Sequence, residues 1–118
     1  RSQITSGKVV ACHDLADGGL LIALAEMSIV SGVGCKLTQP LYDSAALHAH
    51  FFGEDQACYV IATKSGIAMI EAAEKVHVPA RRLGRSGGKN LDLWQQIVVP
   101  VTRLRAVNDA FFPSFMER

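Results

Sequence analysis

Apolar positions along this chain alternate between short continuous runs and helical spacing. Lys8-Val9-Val10-Ala11-Cys12, bounded by Gly7 and by two acids, predicts a buried strand. From Gly19 to Ser31 the only charge is Glu26. Leu20, Ala23, Leu24, Met27 and Val30 form one stripe there, and Leu21, Ile22, Ala25 and Ile29 a second, so the segment predicts a helix that needs cover on both sides. One face is expected on the chain's own sheet and the other against a partner domain. Ser31-Gly32-Val33-Gly34 ends this helix, and residues 35–38 resume a strand pattern before Pro40.

Residues 43–52 predict a short helix, with Asp43 or Ser44 as its cap and Gly53 as its breaker. Residues 58–63 give the clearest strand. Residues 65–76 predict an amphipathic helix with Ile67, Ile70 and Ala73 inward. Residues 79–85 and 91–94 are expected as the two arms of a hairpin around the turn at 86–90. A last helix capped near Thr102 should turn Leu104, Val107, Phe111 and Phe115 to one side, with Pro113 disturbing its end. The alternation predicts an α/β (α+β) fold, a mixed β-sheet of partly ferredoxin-like character with helices packed on it.

Length and composition narrow the class. The 118 residues suit a single domain, 1–118, with its own core. With 49% hydrophobic residues and a net charge of +1, the composition excludes a disordered or nucleic-acid-coating chain. Cys12, Cys35 and Cys58 form no CxxC pair and are expected as buried reduced thiols. No apolar run reaches the ~18 residues of a membrane span, so no membrane partner is expected and the location is read as cytoplasmic. The opening Arg1-Ser2-Gln3 has no initiator Met, which is read as the start of a piece of a longer protein.

The candidate chemistry lies in His13-Asp14-Leu15-Ala16-Asp17-Gly18-Gly19, where a strand passes into a helix through two acids and a glycine pair. Such a junction offers free backbone N–H groups and the positive end of a helix dipole to an anion. Asp17 reads first as a helix cap, with phosphate binding as the functional alternative. Asp14 and Asp17 would repel a bare phosphate, so binding there needs Mg²⁺, a base from elsewhere or the glycine N–H groups alone. No P-loop lysine accompanies the glycines. His13 reads as a structural residue at a strand end, or else as a base or phosphate donor. His48 and His50 diverge on a helix and are not expected to hold a metal. Arg81, Arg82, Arg85 and Lys89 read as a solvated strand face, and no nucleic-acid partner is expected.

These same residues carry a resemblance. His13-Asp14, then Asp17-Gly18-Gly19-Leu20 and a helix containing Leu24, Ala25, Glu26 and Met27, resemble the C-terminal domain of aminoimidazole ribonucleotide synthetase-related proteins, a family that includes selenophosphate synthetase and thiamine monophosphate kinase. Two further segments, Phe52-Gly53-Glu54-Asp55-Gln56-Ala57 and the tail from Val101 through Phe112-Pro113-Ser114-Phe115-Met116, point within that family to the terminal domain of a purine-biosynthetic ligase. The resemblance implies an intact enzyme that uses ATP, Mg²⁺ and glutamine to turn formylglycinamide ribonucleotide into formylglycinamidine ribonucleotide. It implies that ATP, Mg²⁺ and the catalytic groups belong to ATP-binding domains of the same polypeptide, with glutaminase and small accessory subunits as further partners.

By the same resemblance this chain alone carries no catalytic residue and binds neither ATP nor Mg²⁺ tightly. Its substrate-proximal candidates are His13, Asp14, Asp17, Gly18, Gly19, Glu54, Asp55 and Gln56. Glu54, Asp55 and Gln56 occupy the place of a loop that contacts substrate in the first of two duplicated halves. Asp55 stands where that loop has a smaller serine, so the copy here is expected to be structural or to support an auxiliary nucleotide site. The alternatives are the C-terminal domain of another family member, of the selenophosphate or thiamine phosphate kind, and a standalone binding or dimerisation module; the fragment is expected to be able to homodimerise.

Overall fold

The apolar run at residues 8–12 becomes β1 (Val9–Asp14), preceded by a single helical turn, α1 (Ser2–Thr5). The structure, a computed structural model, describes residues 1–38, 44–54 and 57–117. After β1 come α2 (Gly19–Ser31), β2 (Cys35–Leu37), α3 (Ser44–Phe52), β3 (Tyr59–Thr63) and α4 (Gly66–Lys75). The chain closes with β4 (Gly84–Ser86), β5 (Asn90–Leu93), β6 (Ile97–Pro100) and α5 (Val101–Met116). The fold is α+β with a mixed sheet, as the sequence predicts, but its strands divide into two sheets.

One sheet is the antiparallel pair β1–β3, in which Cys12 faces Ile61, His13 faces Val60 and Asp14 faces Tyr59. Directly opposed residues share a face, and successive residues alternate. His13 and Val60 therefore look inward, where Val60 is buried, while Cys12, Ile61 and Tyr59 form an exposed outer face. The second sheet runs β4-β2-β5-β6, with β2 parallel to β5 and antiparallel to β4. The expected hairpin between residues 79–85 and 91–94 does not form, because β2 inserts between its arms. Gly84 allows that insertion, since a Cβ there would run into the Lys36 carbonyl oxygen. The strand predicted over 79–85 accordingly shrinks to its last residues and extends to Ser86.

The core gathers Leu20 and Leu24 of α2, Phe51 of α3, Val60 of β3, Leu37 of β2 and Leu91 and Leu93 of β5. One stripe of α2 thus packs as predicted in its first turns, yet Val30 at its far end is 87% exposed. The second stripe meets α5, where the Arg105 guanidinium donates to the Ile29 carbonyl and holds the two helices together. Past Leu104, α5 leaves the body: Val107, Phe111 and Phe115, expected on one side of the helix, are all exposed, and the Phe111 and Phe115 rings stack on each other. The helix starts at Val101, before Thr102, and continues through Pro113, which removes only one N–H from the last turn. Ile67 of α4 is likewise exposed, whereas Ile70 and Ala73 are half-buried.

Two of the three cysteines depart from expectation. Cys12 lies on the outer face of β1 and Cys58 just before β3, both exposed, whereas Cys35 is half-buried and burial pushes its thiol pKa up. None of the three forms a disulfide. No helix among the described residues is long and apolar enough to cross a membrane.

Candidate functional site

The junction between β1 and α2 turns on two glycines in the left-handed region, Gly18 at φ 88° and Gly19 at φ 75°. Such angles suit glycine, which has no Cβ to collide with its own backbone. Gly19 meets a second constraint. A Cβ there would stand 2.8 Å from the Phe52 Cα and 2.7 Å from its carbonyl carbon, so α2 begins in contact with the C-terminal end of α3.

That contact delivers Glu54. The Gly18 N–H donates to its Oε1 at 2.9 Å, and the Gly19 N–H donates to the Ala16 carbonyl at 3.3 Å. A carboxylate at a helix N-terminus is favourable for the dipole and for the orphan N–H groups alike. The cap therefore comes from 36 residues downstream, and Asp17 does not supply it: Gly18 is the N-cap residue and no cap-residue side chain bonds to the helix. Asp17 is exposed. Sequence reading assigns the cap to Asp17 because Asp before a glycine pair is a common local signal, whereas a partner brought by α3 leaves no local trace.

His13 reaches the same helix from the inner face of β1. Its Nε2 lies 2.8 Å from Glu26 Oε2, its Nδ1 2.6 Å from the Asp14 carbonyl oxygen and 3.7 Å from the Asp14 carboxylate. Both ring nitrogens thus face acceptors, an arrangement that only the doubly protonated ring satisfies. The Asp14 carbonyl contributes most to raising the His13 pKa above the ordinary 6.5; partial burial opposes it, and the Glu26 and Asp14 carboxylates add to the rise. His13 thus links the end of β1 to the middle of α2 as a strut.

A raised folded pKa means that the stabilising contribution is complete below the unfolded value and is lost as pH climbs through the folded one. Stability should therefore fall as pH rises past about 6.5 and through the raised value, and His13→Gln should flatten that part of the profile. Urea midpoints across this window check it, and an unchanged slope in the variant would contradict the strut.

The structure thus gathers His13, Asp14, Asp17, Gly18, Gly19 and Glu54 around one helix start; Asp55 and Gln56 lie outside the described residues, as does the proposed cap Asp43. Among the described residues no group of three or more His, Cys, Asp and Glu side chains stands close enough to hold a metal ion. His48 packs on Phe52, and His50 Nδ1 lies 2.6 Å from the Arg81 guanidinium. Burial first, and then the Arg81 charge, lowers the His50 pKa, which favours the neutral ring whose Nδ1 accepts from Arg81.

Nor do the junction's residues suit the phosphates of ATP with Mg²⁺. Both glycine N–H groups are engaged, one of them by a carboxylate that would repel a phosphate, and Asp14 and Asp17 add no basic partner. Removing Glu54 should release the cap: Glu54→Ala is expected to cost about 1 kcal/mol and Glu54→Gln less, because an amide oxygen still accepts. Thermal unfolding of both variants checks the order, and equal losses would show that the carboxylate oxygen is not the acceptor.

Comparison with known proteins gives a consistent set of relatives. Residues 1–93 match the family model described as AIR synthase related protein, C-terminal domain. The chain is 60% identical over 116 residues to phosphoribosylformylglycinamidine synthase subunit PurL of Gluconobacter oxydans (strain 621H), covering 98% of this chain and 16% of that protein. It is 47% identical over 112 residues to the PurL subunit of Acidiphilium cryptum (strain JF-5), covering 95% of this chain and 15% of the relative. With the PurL subunit of Granulibacter bethesdensis it shares 43% over 116 residues, again 98% of this chain and 15% of the relative. The chain therefore spans about one sixth of the length of the curated relatives it matches.

Proposed function

The chain belongs to the AIR synthase related protein family, as its C-terminal domain, and from that premise we propose that it serves as one architectural domain, residues 1–118, of a phosphoribosylformylglycinamidine synthase. In this reading the intact cytoplasmic enzyme is the ATP- and glutamine-dependent ligase that converts formylglycinamide ribonucleotide to formylglycinamidine ribonucleotide. The relatives named for that synthase, at up to 60% identity over nearly all of this chain, support the assignment. ATP and Mg²⁺ are then bound by other domains of the same polypeptide, and the glutaminase and small accessory subunits supply ammonia and complete the complex.

The observation that carries the architectural role is the Gly18 N–H held by Glu54. A helix start closed by the chain's own carboxylate presents a shaped, negatively charged surface to a neighbour and keeps no open cradle for a phosphate. His13, Asp14, Asp17, Gly18, Gly19, Glu54, Asp55 and Gln56 are in this reading residues that a nucleotide-binding neighbour packs beside. Two exposed apolar areas support the need for neighbours: the outer face of β1 and β3, where Tyr59 is 66% exposed, and the aromatic end of α5. Exposed apolar area of this kind marks an interaction surface.

The test has two arms. The full-length polypeptide that contains this chain should form formylglycinamidine ribonucleotide from formylglycinamide ribonucleotide, ATP and ammonia, and absence of product would refute the ligase assignment. The 118-residue chain alone should form none; ATP-dependent amidation by it would refute the architectural role and return Asp14 and Asp17 to the chemistry. The exposed aromatic end of α5 also favours self-association of the chain when alone, which sedimentation velocity over a concentration series would reveal as a rising sedimentation coefficient.

A further inference from the structure

The basic residues read from sequence as a solvated strand face, Arg81, Arg82, Arg85 and Lys89, are all exposed. Two of them, Arg82 and Arg85, join Lys36 in lining an open cleft of about 390 Å³ together with Leu37, Thr38 and Trp94. We infer that this cleft binds the phosphate or diphosphate group of a small phosphorylated molecule. The site is separate from the β1–α2 junction, and the inference stands whether or not the ligase assignment holds.

Topology places the cleft first. β2 and β5 are parallel neighbours, and the cleft opens where they end, at Leu37-Thr38 and Trp94. Crevices outside the carboxyl ends of parallel strands are the usual ligand positions in mixed and parallel sheets. Its volume falls in the ~300–1,000 Å³ range of small-molecule sites.

Charge then selects the ligand. Lys36 and Arg85 are direct cross-strand partners in the β2–β4 ladder, so two like charges stand side by side on one face. That placement is destabilising in the empty protein. Arg82 adds a third cation from the segment leading into β4. None of the three makes an ion pair among the described residues. Asp92 stands in register on the other side of Lys36 and its Oδ1 accepts the Gln95 N–H at 2.7 Å, so one carboxylate stands beside the three cations. With three cations against one carboxylate the set keeps a positive excess, which a bound anion would balance.

Three cations suit a phosphate group, whose charge near neutral pH is about −1.5 to −2, better than a single carboxylate. Two guanidinium forks add bidentate hydrogen bonding to tetrahedral oxygens, and the Thr38 hydroxyl stands at the rim as a further donor. Leu37 and Trp94 give the cleft an apolar side for the organic part of such a molecule. A single-stranded nucleic acid would need successive aromatic platforms beside the bases, and among the described residues Trp94 is the only aromatic one lining the cleft.

Trp94 is also the sole tryptophan of the chain, so its emission reports on the cleft wall and on the Phe51 ring stacked behind it. Pyrophosphate and inorganic phosphate titrated into the 118-residue chain, against chloride at matched ionic strength, should change that emission saturably, with pyrophosphate the tighter. Arg82→Gln combined with Arg85→Gln should weaken pyrophosphate at least tenfold. Lys75→Gln on α4 should leave it unchanged, and Arg85→Lys, which keeps the charge but loses the fork, should fall between. If circular dichroism shows the double variant unfolded, Lys36→Gln replaces it, with a smaller loss expected. A linear response, a response equal to that of chloride, or a saturable response untouched by the substitutions would overturn the inference.

Discussion

Replacing Gly19 with alanine is expected to lower the stability of the chain by about 3 kcal/mol or more, by strain at a special backbone angle together with overpacking. Two costs coincide at this position. The residue sits at φ 75°, where an L side chain crowds its own carbonyl. The added methyl would also press on the Phe52 backbone and on the Gly53 carbonyl oxygen 2.9 Å away, and backbone cannot rotate aside. Gly18 is an instructive neighbour. Its angle is equally left-handed, but a methyl there would meet only the Ile22 side chain, whose Cγ1 can rotate aside although its Cβ, 2.9 Å away, cannot. Gly18→Ala should therefore cost less than Gly19→Ala, whose three contacts are all backbone atoms. Urea unfolding of the two variants with unchanged slopes would measure the difference, and equal midpoints would show that α2 and α3 do not meet as described.

Phe51→Ala should be comparably damaging, at about 3–5 kcal/mol for a buried phenylalanine. Phe51 is 6% exposed, belongs to the central cluster and stacks on Trp94 with ring centroids 5.7 Å apart. It links α3 to the far end of β5, so its loss opens a cavity between elements distant in sequence. Phe51→Leu keeps most of the volume and should cost about 1.5 kcal/mol or less, while still removing the ring stack. Thermal unfolding read by Trp94 emission gives both the stability and the local change. A Phe51→Ala midpoint close to that of Phe51→Leu would mean that the surrounding side chains collapse into the space.

Local pattern carried α2, β3 and α3 well. The helix at Gly19–Ser31 has the bounds predicted from its glycines and apolar stripes, because its signals lie within one segment. What failed was pairing. Nothing in residues 84–93 says that residues 35–37 will insert among them, since that choice depends on three backbones meeting at Gly84. β6 escaped notice because its turn uses Trp94 and Gln95 at φ 41° and 65°, where Asn-Gly would have announced it. At the site, the junction itself was legible from its acids and glycines. The carboxylate that closes it was not, because Glu54 is assigned to that role only by the approach of α3 to α2. The basic cluster was visible as composition, and the meeting of its Arg82 and Arg85 with Lys36 of β2 at one cleft was not.

The position of β2 has a consequence for how the chain acquires its shape. Its partners are β4 and β5, both near the far end of the sequence, and its parallel pairing joins residues 35–37 to 91–93. Closing so long a loop carries its entropy cost before any ladder bond compensates, and distant pairings of this kind slow folding. During synthesis α2 can form as soon as it emerges, but β2 has to wait for its parallel partner until β5 has left the ribosome, and the four-stranded sheet until β6 has. Until then Leu37 and the core face of α2 lack their cover, so this part of the nascent chain is where a chaperone would be needed most.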